Sequence, residues 1–319
     1  MDFKQLKYFV ATADFGNMTR AAQSVFVAQS AFSQQIANLE DEIGVRLFDR
    51  GKNGMQLTSA GASLYSYAKS ILKQLHDAKQ AVSQEVQQPH GRVAIGLPGS
   101  AGKILAAPLL RQLKAYPGIR PLLLERVSAD LVSLIGSGII DIALAVDADP
   151  QQGVKLIPLL EEDLYVISHK NGPWRNRSAL EVGELARAPL ILPVPPSTIR
   201  QRIDSLFLDA GMRYTLVGEV SGTDMTIHLV EQGLGWSVLP WSAVGAIVEC
   251  DGICAIPLAE QTSKRRLALA YSESIPLSIA AEKALELLLH TIGDLVGAGQ
   301  WHGVRKIGPD GAGLAETPQ

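Results

Sequence analysis

Between Met18 and Glu42 the small and apolar residues fall at Met18, Ala21, Ala22 and Val25, then at Phe32, Ile36 and Leu39. Steps of three and four residues write two short amphipathic helices back to back, with only a few residues between them. No other stretch restricts the fold as strongly. The Ala pair lets a second helix cross the first closely, and Gln29, Ser30, Ser33 and Gln34 then lie on or near the first turns of that second helix. This is the layout of a helix-turn-helix, whose second helix enters the DNA major groove N-terminus first. Amide and hydroxyl groups both donate to and accept from base edges, which suits such a helix to reading sequence. The competing reading is an ordinary helical hairpin with a polar outer face.

The flanking residues extend the motif. Asp2 or Phe3 opens a first helix with the stripe Leu6, Phe9, Val10 and Ala13, ending near Gly16, and Asn17 or Thr19 caps the next. Beyond the hairpin, Lys52, Asn53 and Gly54 join two short extended segments into a β-turn wing, because Asn-Gly supplies the positive φ angles of a tight hairpin. Arg50 and Lys52 at its tip would meet phosphates and hold register without reading sequence. The DNA-facing set is therefore Arg20, Gln29, Ser30, Ala31, Ser33, Gln34, Arg50 and Lys52. With a net charge of -3 the whole chain is no polycation, so any nucleic-acid binding has to come from local arrangement. Acidic residues balance basic ones even across residues 1–60, which counts against that binding.

Ala21-Ala22, Gln29, Ser33, Ile36, Leu39-Glu40, Gly44, Leu47-Phe48, Arg50, Leu57-Thr58 and Ala60-Gly61, at these separations, resemble the N-terminal domain of LysR-type transcriptional regulators. The Gln-Leu-Lys-Tyr-Phe-Val start and the run Phe32 to Gln35 are similar to the nitrogen assimilation control branch. Three residues depart from the pattern: Ser30 replaces a usual Pro, Ala28 a common Ser or Thr cap, and bulky Phe26 occupies the tight turn. Loss of that cap costs about 1 kcal/mol. The resemblance implies a regulator without a cofactor. Its partners would be double-stranded operator DNA, a small-molecule inducer, further copies of itself as a homodimer or homotetramer, and RNA polymerase.

From Thr58 to about Gln88 the chain reads as one long helix, with Leu64, Ala68, Ile71, Leu75, Ala78 and Val82 at the 3.5-residue period of a coiled-coil seam. At about 1.5 Å per residue such a rod spans some 45 Å, and pairing with a second copy would place two recognition helices on two half-sites. Pro89, His90 and Gly91 make a hinge. Strands and helices then alternate. The expected fold class is α/β: a winged helix-turn-helix (1–58), a linker and dimerisation helix (59–88), and a two-lobed domain like a periplasmic binding protein (92–297). Lobe I takes about 92–162 plus 266–297, lobe II about 163–265, and the Gly- and Pro-rich residues 298–319 read as a disordered tail. Ser178 and Glu181 have capping-box spacing, which predicts a helix start there.

Ligands of open α/β sheets bind outside the carboxyl ends of strands, where helices begin. Three such ends are marked, by Gly99, Ser100 and Ala101, by Ser128, and by Pro196, Ser197 and Thr198; Thr223 or Asp224 adds a fourth. Backbone N–H groups and the helix dipole at each would favour a small anion, such as a carboxylate. Taken singly, each Ser or Thr needs no role beyond capping.

Enzymatic readings fail on spacing. Gly96 to Lys103 carries one residue too many for a phosphate-binding loop, and Ile104 stands where Ser or Thr would hold magnesium. There is no HExxH pair or Gly-x-Ser-x-Gly elbow, and Cys250 and Cys254 lack further soft ligands nearby. Without a signal-peptide pattern or an uninterrupted apolar span, a cytoplasmic protein with no membrane partner is expected. The alternative is a solute-binding or enzymatic α/β protein with an incidental helical hairpin.

Overall fold

The computed structural model describes residues 1–51, 54–82, 88–175, 177–259 and 264–308, with the backbone alone over 80–82. These residues divide into two compact units, one built on 1–82 and one on 88–308, the turn 137–139 apart.

In the first unit, α1 (Phe3–Phe15) opens on a capping box. The Asp2 carboxylate accepts from the Gln5 N–H and the Gln5 side chain accepts from the Asp2 N–H, both at 2.8 Å. Gly16 ends the helix at φ 58°. Next, α2 (Met18–Ser24) is capped by Asn17, and α3 (Gln29–Ile43) runs to Gly44, which is also left-handed. Ala21 and Ala22 are buried where the helices cross, and Phe9, Phe32, Ile36 and Leu39 fill the core beneath them. Glu40 fastens the wing, accepting from the Leu47 and Phe48 N–H groups at 2.7 and 3.1 Å. The wing itself is β1 (Phe48–Gly51) paired antiparallel with β2 (Gly54–Leu57).

The helix that follows, α4 (Ser59–Val82), places part of the expected seam inside its own unit. Ala68 is fully buried in the core of its own unit, and Leu64 and Ile71 pack against the same cluster. The physical reason is that α1 has an apolar stripe of its own to bury, and the short wing returns α4 alongside it. Leu75 is half-buried and Ala78 exposed, while the Val82 side chain lies outside the described residues.

The second unit begins with β3 (Gly91–Leu97), α5 (Gly99–Leu113), β4 (Ile119–Glu125), α6 (Ser128–Gly136), β5 (Ile142–Val146) and β6 (Val154–Glu162). There the chain crosses to a second lobe made of β7 (Leu164–His169), α7 (Val182–Leu185), β8 (Pro189–Pro193), α8 (Thr198–Asp209), β9 (Thr215–Val220), α9 (Thr223–Glu231), β10 (Ser237–Pro240), α10 (Trp241–Glu249) and β11 (Ile253–Pro257). It returns with β12 (Arg265–Ser272), α11 (Ile279–Gly297) and β13 (Val304–Lys306). The first lobe is one sheet in the order β13-β6-β12-β5-β3-β4, parallel where β3 meets β4 and β5, antiparallel elsewhere. The second holds an antiparallel trio, β10-β7-β11, and the parallel pair β8-β9, joined by the Leu190–Trp236 bridge. Each lobe has its own core.

Two expectations change here. Residues 298–308 form no disordered tail: Trp301 is 2% exposed, and β13 adds a strand to β6. The buried indole, its N–H donated to Glu162, and the pairing of β13 with β6 together hold the segment in place, which average composition hides. Residues 309–319 lie outside the described residues. The capping box of α7 belongs to Glu181 and Glu184, not Ser178 and Glu181, because the helix starts three residues later than the spacing suggested.

Candidate functional site

The outer face of α3 carries the DNA-facing set. Gln29, Ser30, Ala31 and Gln34 are exposed and Ser33 is half-buried, above the packed row Phe32, Ile36 and Leu39. Among the described residues nothing hydrogen-bonds to the side chains of Gln29, Ser30 or Ser33, whereas Gln34 Nε2 donates to Asn38 Oδ1 at 2.9 Å. As the departures at Ala28 and Phe26 suggested, Ala28 gives no side-chain cap, and Phe26 takes a left-handed φ of 57° with its ring 97% exposed. The uncapped N–H groups at the head of α3 are free for an acceptor from outside. Arg20 and Arg50 are exposed on α2 and the wing; Lys52 lies outside the described residues.

In the second unit the predicted ligand residues fall into two groups. At the head of α5, Gly99 faces the other lobe: a Cβ built there would lie 2.6 Å from Glu125 Oε1 and 3.4 Å from Thr223 Oγ1. Beside it Lys103 of α5 is ion-paired with Asp224 of α9, across the lobes. The second group lines a cleft of about 370 Å³ where Thr198, Gln201 and Arg202 of α8 face Asp147 and Asp149. Arg202 spans the gap, with Nε donating to Asp147 Oδ2 at 3.0 Å. Asp147 holds a left-handed φ of 46°, and its Oδ1 also accepts from the Arg266 N–H at 2.9 Å.

Three predicted residues already have packing or partners within the first lobe and its junction. Ala101 is fully buried in the first lobe's core, because the third position of α5 already points at the sheet. Ser128 Oγ accepts from the Val146 N–H at 2.8 Å, tying α6 to the end of β5. The Ser100 hydroxyl is buried and accepts from Arg265 Nη2 at 2.8 Å. Pro196 is exposed and Ser197 half-buried before α8, and Ser197 makes no side-chain cap.

The Arg265 contact belongs to a cluster that sequence reasoning missed. Glu162, fully buried at the end of β6, accepts from Arg265 Nε at 2.9 Å and Nη2 at 2.6 Å, and from Trp301 Nε1 at 2.7 Å. It also accepts from the Ser242 N–H at 3.1 Å. Both lobe crossings, α10 and the C-terminal segment meet on one carboxylate, and the head of α5 joins them through Arg265. Burial, with Asp163 and Glu162 nearby, pushes the Tyr165 hydroxyl up to about 12, so it stays protonated beside this junction. No sequence signal pairs residues 103 positions apart.

Comparison with known proteins follows the same division. The family model for the lysR-family bacterial regulatory helix-turn-helix protein matches residues 3–62, and that for the LysR substrate binding domain matches 86–292. The nitrogen assimilation regulatory protein nac of Escherichia coli K12 is 33% identical over 92% of this chain and 95% of its own length. A hydrogen peroxide-inducible genes activator of Pectobacterium carotovorum is 28% identical, covering 87% of this chain and 92% of its own. A full-length OxyR variant of Pseudomonas aeruginosa superposes with a TM-score of 0.71 at 26% identity, covering 92% of this chain and 94% of that one.

Proposed function

This chain belongs to the LysR family of bacterial helix-turn-helix regulators, and we propose that it works as an operator-binding switch set by a small molecule. The observation that carries the reading is the first turn of α3: hydrogen-bonding side chains with no partner of their own, held outward on a rigid three-helix scaffold. In this reading Gln29, Ser30, Ser33 and Gln34 read base edges, while Arg20 and Arg50 neutralise phosphates. The exposed remainder of α4 past Leu75, with Ala78, meets a second copy, so that two half-sites are held together.

The effector sits between the lobes, bordered by Gly99 and Thr223 at one end and Thr198 at the other. The uncapped heads of α5 and α9 favour a carboxylate at the first end, which would compete with Asp224 for Lys103. The second end carries three carboxylates, Asp147, Asp149 and Asp209, against Arg202, and favours an amine. To act as a switch from mostly off to mostly on, the ligand has to bind one lobe arrangement more tightly by about 5.5 kcal/mol. The test is a thermal-shift panel of small carboxylates, amines and amino acids on the full-length protein, together with duplex selection from a random pool. Thr198→Phe fills the cleft and is expected to abolish the thermal shift while leaving the selected duplex bound. Joint loss of both in this variant, with normal circular dichroism, would reject the assignment of the two sites.

Peroxide sensing through a thiol is a poorer reading despite the named relative. Cys254 is half-buried on β11 and its thiol is pushed up by burial, and neither Cys254 nor Cys250 borders the cleft. A thiol held protonated is a weak nucleophile. Operator affinity is expected to be the same before and after peroxide, and in the Cys250→Ser/Cys254→Ser variant. A fluorescence-anisotropy titration that moves with peroxide in the parent and not in the variant would reverse this.

A further inference from the structure

Antiparallel strands commonly turn one face to water, and that face then alternates as the polar side of the strand. In the first lobe α5 and α11 cover one face, and α6 covers the middle of the other. The open end of that second face, over β6, β12 and β13, forms a groove of about 800 Å³. Its floor is apolar where a solvated strand face should be polar: Leu156, Pro158 and Ala268 line it. This volume lies in the range of small-molecule sites, and the mixture of apolar floor and few charged groups is typical of them.

The charges at its rim have one sign in excess. Among the described residues, Arg202, Lys264, Arg266 and Arg305 border the groove against two carboxylates, Asp147 and Glu161. The register places Arg266 of β12 and Arg305 of β13 on either side of Glu161 of β6. Both donate to it: Arg266 Nε reaches Oε1 at 3.3 Å, and Arg305 Nη2 reaches Oε2. Their joint pull holds the Glu161 carboxyl below the usual carboxylate range, with Arg305 the larger influence. Glu161 is 13% exposed beneath two guanidinium groups that are 72% and 69% exposed. One half-buried carboxylate thus fixes two arginines side by side, with most of their donors still turned to solvent.

We propose that this groove, which adjoins the cleft between the lobes at Asp147 and Arg202 but is centred on Arg266 and Arg305, is a second ligand site, for a small carboxylate with an apolar tail. The carboxylate takes the outward edges of Arg266 and Arg305, where a planar fork of donors matches a planar pair of oxygens. The tail lies on Leu156, Pro158 and Ala268.

Hexanoate is the probe, titrated calorimetrically into the full-length protein beside 1-hexanol and hexylamine. Saturable binding of hexanoate is expected, with the alcohol and the amine weaker by roughly tenfold or more, since each lacks the charge-assisted bonds. Arg266→Gln/Arg305→Gln should weaken hexanoate by roughly tenfold or more. Pro158→Glu, an exposed change on the floor, should do the same independently and guards against a folding defect in the first variant. Thr198→Phe, which fills the cleft, should leave hexanoate affinity unchanged. The proposal is overturned by absence of saturable binding, by equal binding of hexylamine, by indifference to both groove variants, or by loss of binding in Thr198→Phe.

Discussion

Replacing Glu162 with Ala is expected to destabilise the second unit by about 3–5 kcal/mol, the range for removing one member of a buried ion pair. The carboxylate is fully buried, and its removal strands the Arg265 guanidinium, the Trp301 indole N–H and the Ser242 backbone N–H together. Arg265→Met in the same chain should recover part of the loss by removing the unpaired charge. It cannot recover all of it, because the indole and backbone donors stay unsatisfied. Urea unfolding, followed by circular dichroism and tryptophan fluorescence, measures the effect, with the two units fitted as separate transitions. A loss below about 1 kcal/mol for Glu162→Ala would mean that water replaces the carboxylate at no cost and that the junction is not closed.

Gln29→Ala is expected to cost about 1–3 kcal/mol in binding to the selected duplex and little to bulk competitor, because a bidentate amide contact discriminates between bases. Arg50→Ala should act differently. A phosphate contact weakens every sequence alike and lowers the slope of log affinity against log salt by about one. Anisotropy titrations over a range of salt, on selected and scrambled duplexes, separate the two patterns. Equal losses on both duplexes for Gln29→Ala would move that residue from the base edges to the backbone. No change on either would remove the head of α3 from the interface.

Much of the first unit was legible because its information is local. Caps at Asp2 and Asn17, left-handed glycines at 16 and 44, and the three- and four-residue steps of α2 and α3 are settled within a turn or two of the chain. The stripe on α4 was legible as a stripe, but periodicity does not say whose core it enters. Ala68 and its neighbours went to the chain's own α1. In the second unit the buried β5 and the helices α8 and α9 announce themselves by composition and period. In contrast β6 and α10 did not: Pro158 interrupts β6, and α10 is apolar or small almost throughout, so no polar face sets off a period.

The ligand residues were read as helix heads, and that level of description placed them correctly at strand ends without saying which way each side chain turns. Ser100 turned to Arg265, Ser128 to the Val146 amide and Ala101 to the core, while Gly99, Thr198 and Thr223 remained at the gap between lobes.

What the residue order alone determined is the alternation of elements, the recognition helix and its exposed polar head, since these depend on contacts between near neighbours in the chain. Only the tertiary structure decided the junction at Glu162, the strand at 304–306, the division of α4 between its own unit and solvent, and the basic groove over β6, β12 and β13. Each of these joins segments distant in sequence, and whether a charge is buried or a strand face left uncovered depends on which distant segment folds back onto it.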